Sequence, residues 1–115
     1  MTKNENSTRF YSNIQEQSVC KLLEAKQTPN SGAGKFRKGD VFTNSFLIEC
    51  KTCMKDKDSF SIKKDWIVKN KDEAFTQRKP NQAIAFNFGP GQENYFVINE
   101  RLMQYLVEQL EKEDF

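Results

Sequence analysis

The chain has 115 residues, with 18 lysines and arginines against 16 aspartates and glutamates, and no histidine. That length suits a single domain, residues 1–115, with one core and not two. A composition 37% hydrophobic and 30% charged is that of a folding globule rather than a disordered tail. Without imidazole the chain cannot build a Ser-His-Asp triad or an H-E-x-x-H zinc centre, so acid and base work falls to carboxylates, lysines, hydroxyls or water.

The polar start "MTKNENSTRFYSN" has no apolar signal-peptide core, and no apolar run approaches the length of a membrane span. The expected location is therefore cytoplasmic and away from the membrane. A lysine bias over arginine, together with many asparagines, hints at an AT-rich bacterial genome or a phage acting in its host's cytoplasm.

The first helix is predicted from Ser7 to Lys26, where Phe10, Ile14, Val19, Leu22 and Leu23 keep roughly helical spacing behind Ser7 and Thr8 as caps. "TPNSGAGKFRKGD" then breaks the pattern with a proline and three glycines, a cationic loop leading into the first strand. "SGAGK" is not a phosphate loop, because Pro29 stands where Walker A needs glycine and Phe36 where it needs Ser or Thr. Gly32-x-Gly34 is followed by Arg37 and precedes no helix, so the dinucleotide fingerprint fails as well. No nucleotide cofactor is expected.

"GDVFTNSFLIECKT" reads as a hairpin. With Asn44-Ser45 as a two-residue turn, Thr43 faces Phe46 and Asp40 faces Glu49. Opposed residues carry their Cβ atoms about 4.5 to 5.5 Å apart on one face, where like charges repel. Lys51, two residues beyond Glu49, returns to that same face. Phe60 and Ile62 form a brief third strand, and a second helix opens at Ser61 or Lys63 and runs to about Gln77 with Trp66, Ile67 and Ala74 inward. "QAIAFNF" and "ENYFVI" flank "GPGQ" as a second hairpin. "NERLMQYLVEQLEKEDF" begins at an Asn99 cap and carries Leu102, Tyr105, Leu106, Gln109 and Leu110 along one stripe. The fold class is thus α/β, in the order α-β-β-β-α-β-β-α.

Three cysteines, Cys20, Cys50 and Cys53, leave one unpaired in any arrangement, and a lone C-x2-C is half a zinc site, so buried or idle thiols are the simpler reading. Charge is distributed unevenly: residues 35–79 hold 12 cations and 7 acids, residues 93–114 hold 2 and 6. The middle of the chain suits a polyanion, although a lysine-rich stretch can equally be a solvated face.

The Asp40, Glu49 and Lys51 cluster has the chemistry of a metal-assisted site. Two carboxylates converging from neighbouring strands can hold a hard divalent ion that keeps several waters, which removes their repulsion. A lysine beside them can orient or deprotonate a water, or neutralise a phosphodiester transition state. E-x-K is also common on solvent faces, but Phe46, Leu47 and Ile48 make this strand a buried one, where unneutralised acids are costly.

"NIQEQSVCKLLE", "NSGAG", "GDV", "LIECKT" and "IKKDWIVKNKDEAF", in this order and spacing, resemble the PD-(D/E)XK nuclease superfamily, and within it the archaeal-type Holliday junction resolvases and their phage relatives. The resemblance covers most of the chain and implies a restriction-endonuclease-like fold, a mixed central β-sheet flanked by helices. It assigns Asp40 and Glu49 as metal ligands and Lys51 as the catalytic lysine. Glu16 matches a further acid on the first helix that reaches the metal, and Ser31 the flexible-loop serine implicated in catalysis. Gly39 stands at the namesake proline and Asn30 at a frequent arginine.

The implied activity is Mg2+-dependent hydrolysis of branched DNA, with Mn2+ able to substitute, leaving a 5′-phosphate and a 3′-hydroxyl. Two symmetric cuts across a four-way junction imply a homodimer, since one small domain cannot easily reach both strands. Lys35, Arg37 and Lys38 precede the metal strand, and Lys63, Lys64, Lys69 and Lys71 lie on or beside the second helix, as candidate phosphate contacts. Trp66 reads as a core or subunit-contact residue before a base-stacking one. The alternatives are a nuclease of the same fold acting on flaps, nicked duplex or single strands, and a non-catalytic DNA-binding or inhibitory protein that reuses the fold.

Overall fold

The computed structural model describes residues 3–27 and 40–112, with side chains from residue 9 onward. Its elements are α1 (Lys3–Leu23), β1 (Lys26–Gln27), β2 (Asp40–Phe42), β3 (Phe46–Lys51), α2 (Lys64–Thr76), β4 (Asn81–Phe86), β5 (Tyr95–Val97) and α3 (Glu100–Lys112). The fold is α/β, and the five strands form one mixed sheet in the order β1-β2-β3-β4-β5. Only β3 and β4 run parallel, joined through α2; the other neighbours are antiparallel.

Strand periodicity gives the sheet two different faces. Val41, Ile48, Ala83 and Ala85 pack with Val19 of α1 in one buried cluster, with Phe46 and Cys50 beside it. Residues one step along, Leu47, Glu49 and Lys51 of β3 and Ile84 and Phe86 of β4, therefore point to the other face, where α2 lies. The central strands are buried on both faces, which explains the near-continuous apolar run "FLIEC".

The β2–β3 turn is the two-residue loop expected at Asn44-Ser45. Thr43 N–H donates to the Phe46 carbonyl at 3.0 Å, and the Thr43 hydroxyl accepts from the N–H groups of Ser45 and Phe46 at 3.2 and 3.0 Å. One side chain thus completes the hydrogen bonding of the turn and holds the register. Asn99 caps α3 as expected, its Oδ1 accepting from Leu102 N–H at 2.8 Å. At the far end of α2 the chain reverses through Arg78, with φ at 60°, while Lys79 N–H reaches back to the Ala74 carbonyl at 2.8 Å. That is a Schellman closure at a position where glycine is usual.

Several expectations are corrected. No strand forms at Phe60 and Ile62; the third strand of the count is Lys26–Gln27, which pairs with Val41 and Phe42 at the sheet edge. Phe60 instead lays its ring on Phe86, with centroids 5.0 Å apart. The inward line of α2 is Asn70 and Ala74, at 2% and 1% exposure, while Ile67 is 40% exposed. Positions 66, 70 and 74 share a stripe at four-residue spacing, and residue 67 is turned off it.

In α1, Phe10, Ile14, Leu22 and Leu23 are exposed, and the residues turned inward are Gln15 and Val19. Helix α3 has no buried residue, and Met103, Tyr105, Leu106, Val107 and Leu110 are all exposed along it. Among the described residues no helix is long and apolar enough to cross a membrane.

Candidate active site

The hairpin brings together three of the residues singled out from the sequence. Asp40 pairs directly with Glu49 across β2 and β3. Both are buried, at 1% and 6% exposure, which is far below what acids normally tolerate. Lys51 Nζ lies 2.7 Å from Glu49 Oε2, and its side chain remains 26% exposed. The lysine is therefore partly open to solvent while its ammonium meets a buried acid. Two acids and one base leave the cluster with a formal excess of negative charge, on the same face and beside the α2 side of the sheet.

Trp66 of α2 completes the surroundings of Lys51. The Nζ atom sits 4.3 Å from the Trp66 ring centroid, within cation–π range, while still paired with Glu49. A second cation, Lys63, stands 5.8 Å from the same ring. The periodicity that placed Trp66 on the inner stripe of α2 gave no sign of this contact, because it depends on how α2 crosses β3.

Glu16 is placed differently. It lies on α1, the helix covering the opposite face, and its Oε1 accepts from Gln27 Nε2 at 2.9 Å. Partial burial raises its carboxyl above the ordinary value, against smaller lowering effects from the Gln27 hydrogen bond and the Arg9 guanidinium. Among the described residues no three His, Cys, Asp or Glu side chains converge as a metal-binding group, so Glu16 does not join Asp40 and Glu49 in this arrangement.

The pH dependence follows with a definite sign. Because the folded chain holds the Glu16 proton more tightly than the unfolded one, Glu16 favours folding in acid. That contribution falls away as pH rises from about 4.5 through the folded value. We expect Glu16→Gln, which keeps a hydrogen-bonding partner for Gln27, to gain stability over the unmodified chain at neutral pH and to lose that advantage below the ordinary carboxylate range. Urea midpoints across pH measure it.

Cys50 points to the α1 face. Burial, then the charges of Glu16 and Asp40, the neighbouring Cys20, and Glu49, push its thiol well above the ordinary range. Cys50 is therefore a neutral thiol lying between acids on both sides of β3, unsuited to nucleophilic or metal work. All three cysteines are free, and Cys53 donates its thiol to the Lys55 carbonyl at 3.0 Å.

Lys63, Lys64, Lys69 and Lys71 are all exposed, and Lys69 is engaged with Asp65 at 3.3 Å one turn away. Of the four, Lys63 is the one seen against the Trp66 ring. Ser31, Lys35, Arg37 and Lys38 lie outside the described residues.

Sequence reasoning missed a polar network at the far end of β3. Gln15, 3% exposed, donates to the Ala85 carbonyl at 3.3 Å and accepts from the Thr52 hydroxyl at 2.9 Å. Asn94 accepts from Gln15 and donates to Ser18. These groups line a cavity of about 150 Å³ and tie α1 to the β4–β5 loop just past Lys51. The inward side of an amphipathic helix is normally read from its apolar residues, so a buried glutamine there gave no signal. A scan against protein-family models finds no match, and searches of curated proteins and of solved structures find none either.

Proposed function

We propose that the chain is a metal-dependent, structure-selective DNA endonuclease with a restriction-endonuclease-like fold, acting on four-way junctions and leaving a 5′-phosphate and a 3′-hydroxyl. The observation that carries this reading is the buried cross-strand pair of Asp40 and Glu49 with Lys51 Nζ 2.7 Å from the second acid. Neighbouring carboxylates of this kind are destabilising to fold and are seldom buried without a chemical reason.

The donor set fits a hard divalent cation. Carboxylate oxygens from two residues, with no thiol or imidazole among them, suit Mg2+, with Mn2+ as a substitute. When bound, such an ion supplies Lewis acidity to a phosphodiester oxygen and offsets the charge of the two acids. Asp40 and Glu49 would hold it from rigid strands. Lys51, with its ammonium between Glu49 and the Trp66 ring, orients the attacking water and faces the developing negative charge on phosphorus. Trp66 limits the positions that ammonium can take.

Two symmetric cuts call for two copies of so small a chain, so the active form in this reading is a homodimer. Exposed Lys63, which shares the Trp66 ring with Lys51, and Lys64 next to it at the start of α2 provide phosphate contacts. The test is a cleavage map on a synthetic junction whose arms cannot migrate, in Mg2+, with linear duplex as control. Paired nicks placed symmetrically across the branch are the expected result. Equal cutting of the duplex, or none of either substrate, would remove the reading.

A further inference from the structure

Lys51 stands at one end of a row of aromatic rings that, beyond Trp66, the hydrolytic chemistry does not use. From the Trp66 ring, the row passes to Phe60 at 6.2 Å between centroids, to Phe86 at 5.0 Å, and on to Tyr95 at 5.9 Å. Phe88 closes the far end against Phe86 and Tyr95, at 5.6 and 5.7 Å. Strand register accounts for the alignment: Lys51 neighbours Phe86, and Phe86 neighbours Tyr95, so three adjacent strands direct these residues to one face.

Trp66, Phe60, Phe86 and Phe88 are half-buried, and Tyr95 is 45% exposed. A closed core would bury all five, and this row keeps a partly open side that is widest at Tyr95. At the Trp66 end, Lys51 and Lys63 both approach the ring. At the other end, the Tyr95 hydroxyl is 3.5 Å from Glu93 Oε1, a hydrogen bond that restrains the ring.

We propose that this row is a stacking surface for unpaired nucleobases of the DNA strand whose phosphate lies at Lys51. Flat, uncharged heterocycles match the open side of the row at Tyr95, and the anionic backbone of the same strand matches the ammonium groups at the Trp66 end. Cations beside aromatic rings are the combination that binds single-stranded nucleic acid without reading its sequence. The inference rests on the nuclease reading and refines its substrate: the cut strand must present unstacked bases next to the scissile bond, as a branch point does and a continuous duplex does not.

Trp66 is the only tryptophan in the chain, so its emission reports on the row directly. The experiment titrates the unmodified full chain, Tyr95→Leu and Tyr95→Phe with a short oligothymidylate and with blunt duplex, in EDTA so that no cutting occurs. The expected result is quenching by the single strand, binding weakened about tenfold in Tyr95→Leu, and rescue in Tyr95→Phe, with duplex binding alike in all three. Equal single-strand binding by Tyr95→Leu would overturn the inference. So would a shift of that variant from dimer to monomer in sedimentation with oligonucleotide binding intact, which would make the row a contact between copies. The nuclease reading stands or falls separately, on junction cleavage by the unmodified chain in Mg2+.

Discussion

Asp40→Asn is expected to abolish Mg2+-dependent junction cleavage while making the metal-free protein more stable. Activity should fall by well over about a hundredfold, since loss even of a group that only supports a metal ligand costs about ten- to a hundredfold. The gain in stability comes from the fold. Asp40 and Glu49 face each other with both residues buried, and at cross-strand distance in a protein interior their repulsion is on the order of a few kcal/mol, partly relieved by Lys51. Asparagine is nearly the same shape and carries no charge, so a gain of about 1–3 kcal/mol is expected in EDTA.

Magnesium should reverse the ranking. An ion bound to the native state alone stabilises the unmodified chain by about 2.7 kcal/mol at a hundred times its Kd, and Asp40→Asn should be insensitive to it. Chemical denaturation of both proteins with and without Mg2+ separates this from a structural role. A purely structural Asp40 would give no metal dependence in either protein. Asp40→Asn protein that cuts as fast as the unmodified chain would sink the assignment outright.

The register that makes this prediction possible is legible in the sequence, for a physical reason. A two-residue turn and a period of two leave no freedom: once Asn44-Ser45 is the turn, Asp40 must oppose Glu49 and Lys51 must share their face. The Asn99 cap and the β4–β5 hairpin were legible on similar local grounds. What escaped is non-local. Lys26 and Gln27 form a strand because Val41 and Phe42 offer an edge, not because either residue favours β structure. Gln15 and Asn70 turn inward because tertiary partners or packing accept them, where hydropathy alone assigns them to solvent. Glu16 was assigned by resemblance, and its hydrogen bond to Gln27 depends on that same unforeseen edge strand. The contact of Lys51 with Trp66 depends on the crossing of α2 over β3, which no pattern in either segment encodes.

That contact shapes the second large effect, which is the loss of cleavage in Lys51→Ala with the opposite consequence for stability. Removing Nζ takes away the ion pair to Glu49 at 2.7 Å and so one source of relief for two acids buried side by side. A buried pair broken from one side costs about 3–5 kcal/mol, and the 26% exposure of Lys51 moderates this toward about 1–3 kcal/mol. Cleavage should fall about 10²- to 10³-fold, the usual cost of losing one preorganised group that faces developing charge. Junction binding in EDTA should change little, because one phosphate contact among several is lost. Lys51→Arg restores the charge but not the point geometry, since a planar guanidinium favours a flat stack on Trp66. It should therefore recover most of the stability and little of the rate. Asp40→Asn combined with Lys51→Ala should be less destabilised than Lys51→Ala alone, because the acid that the lysine relieved is no longer charged. If Lys51→Arg recovered rate and stability together, the lysine would be only a counter-charge for Glu49, and its role at phosphorus would have to be given up.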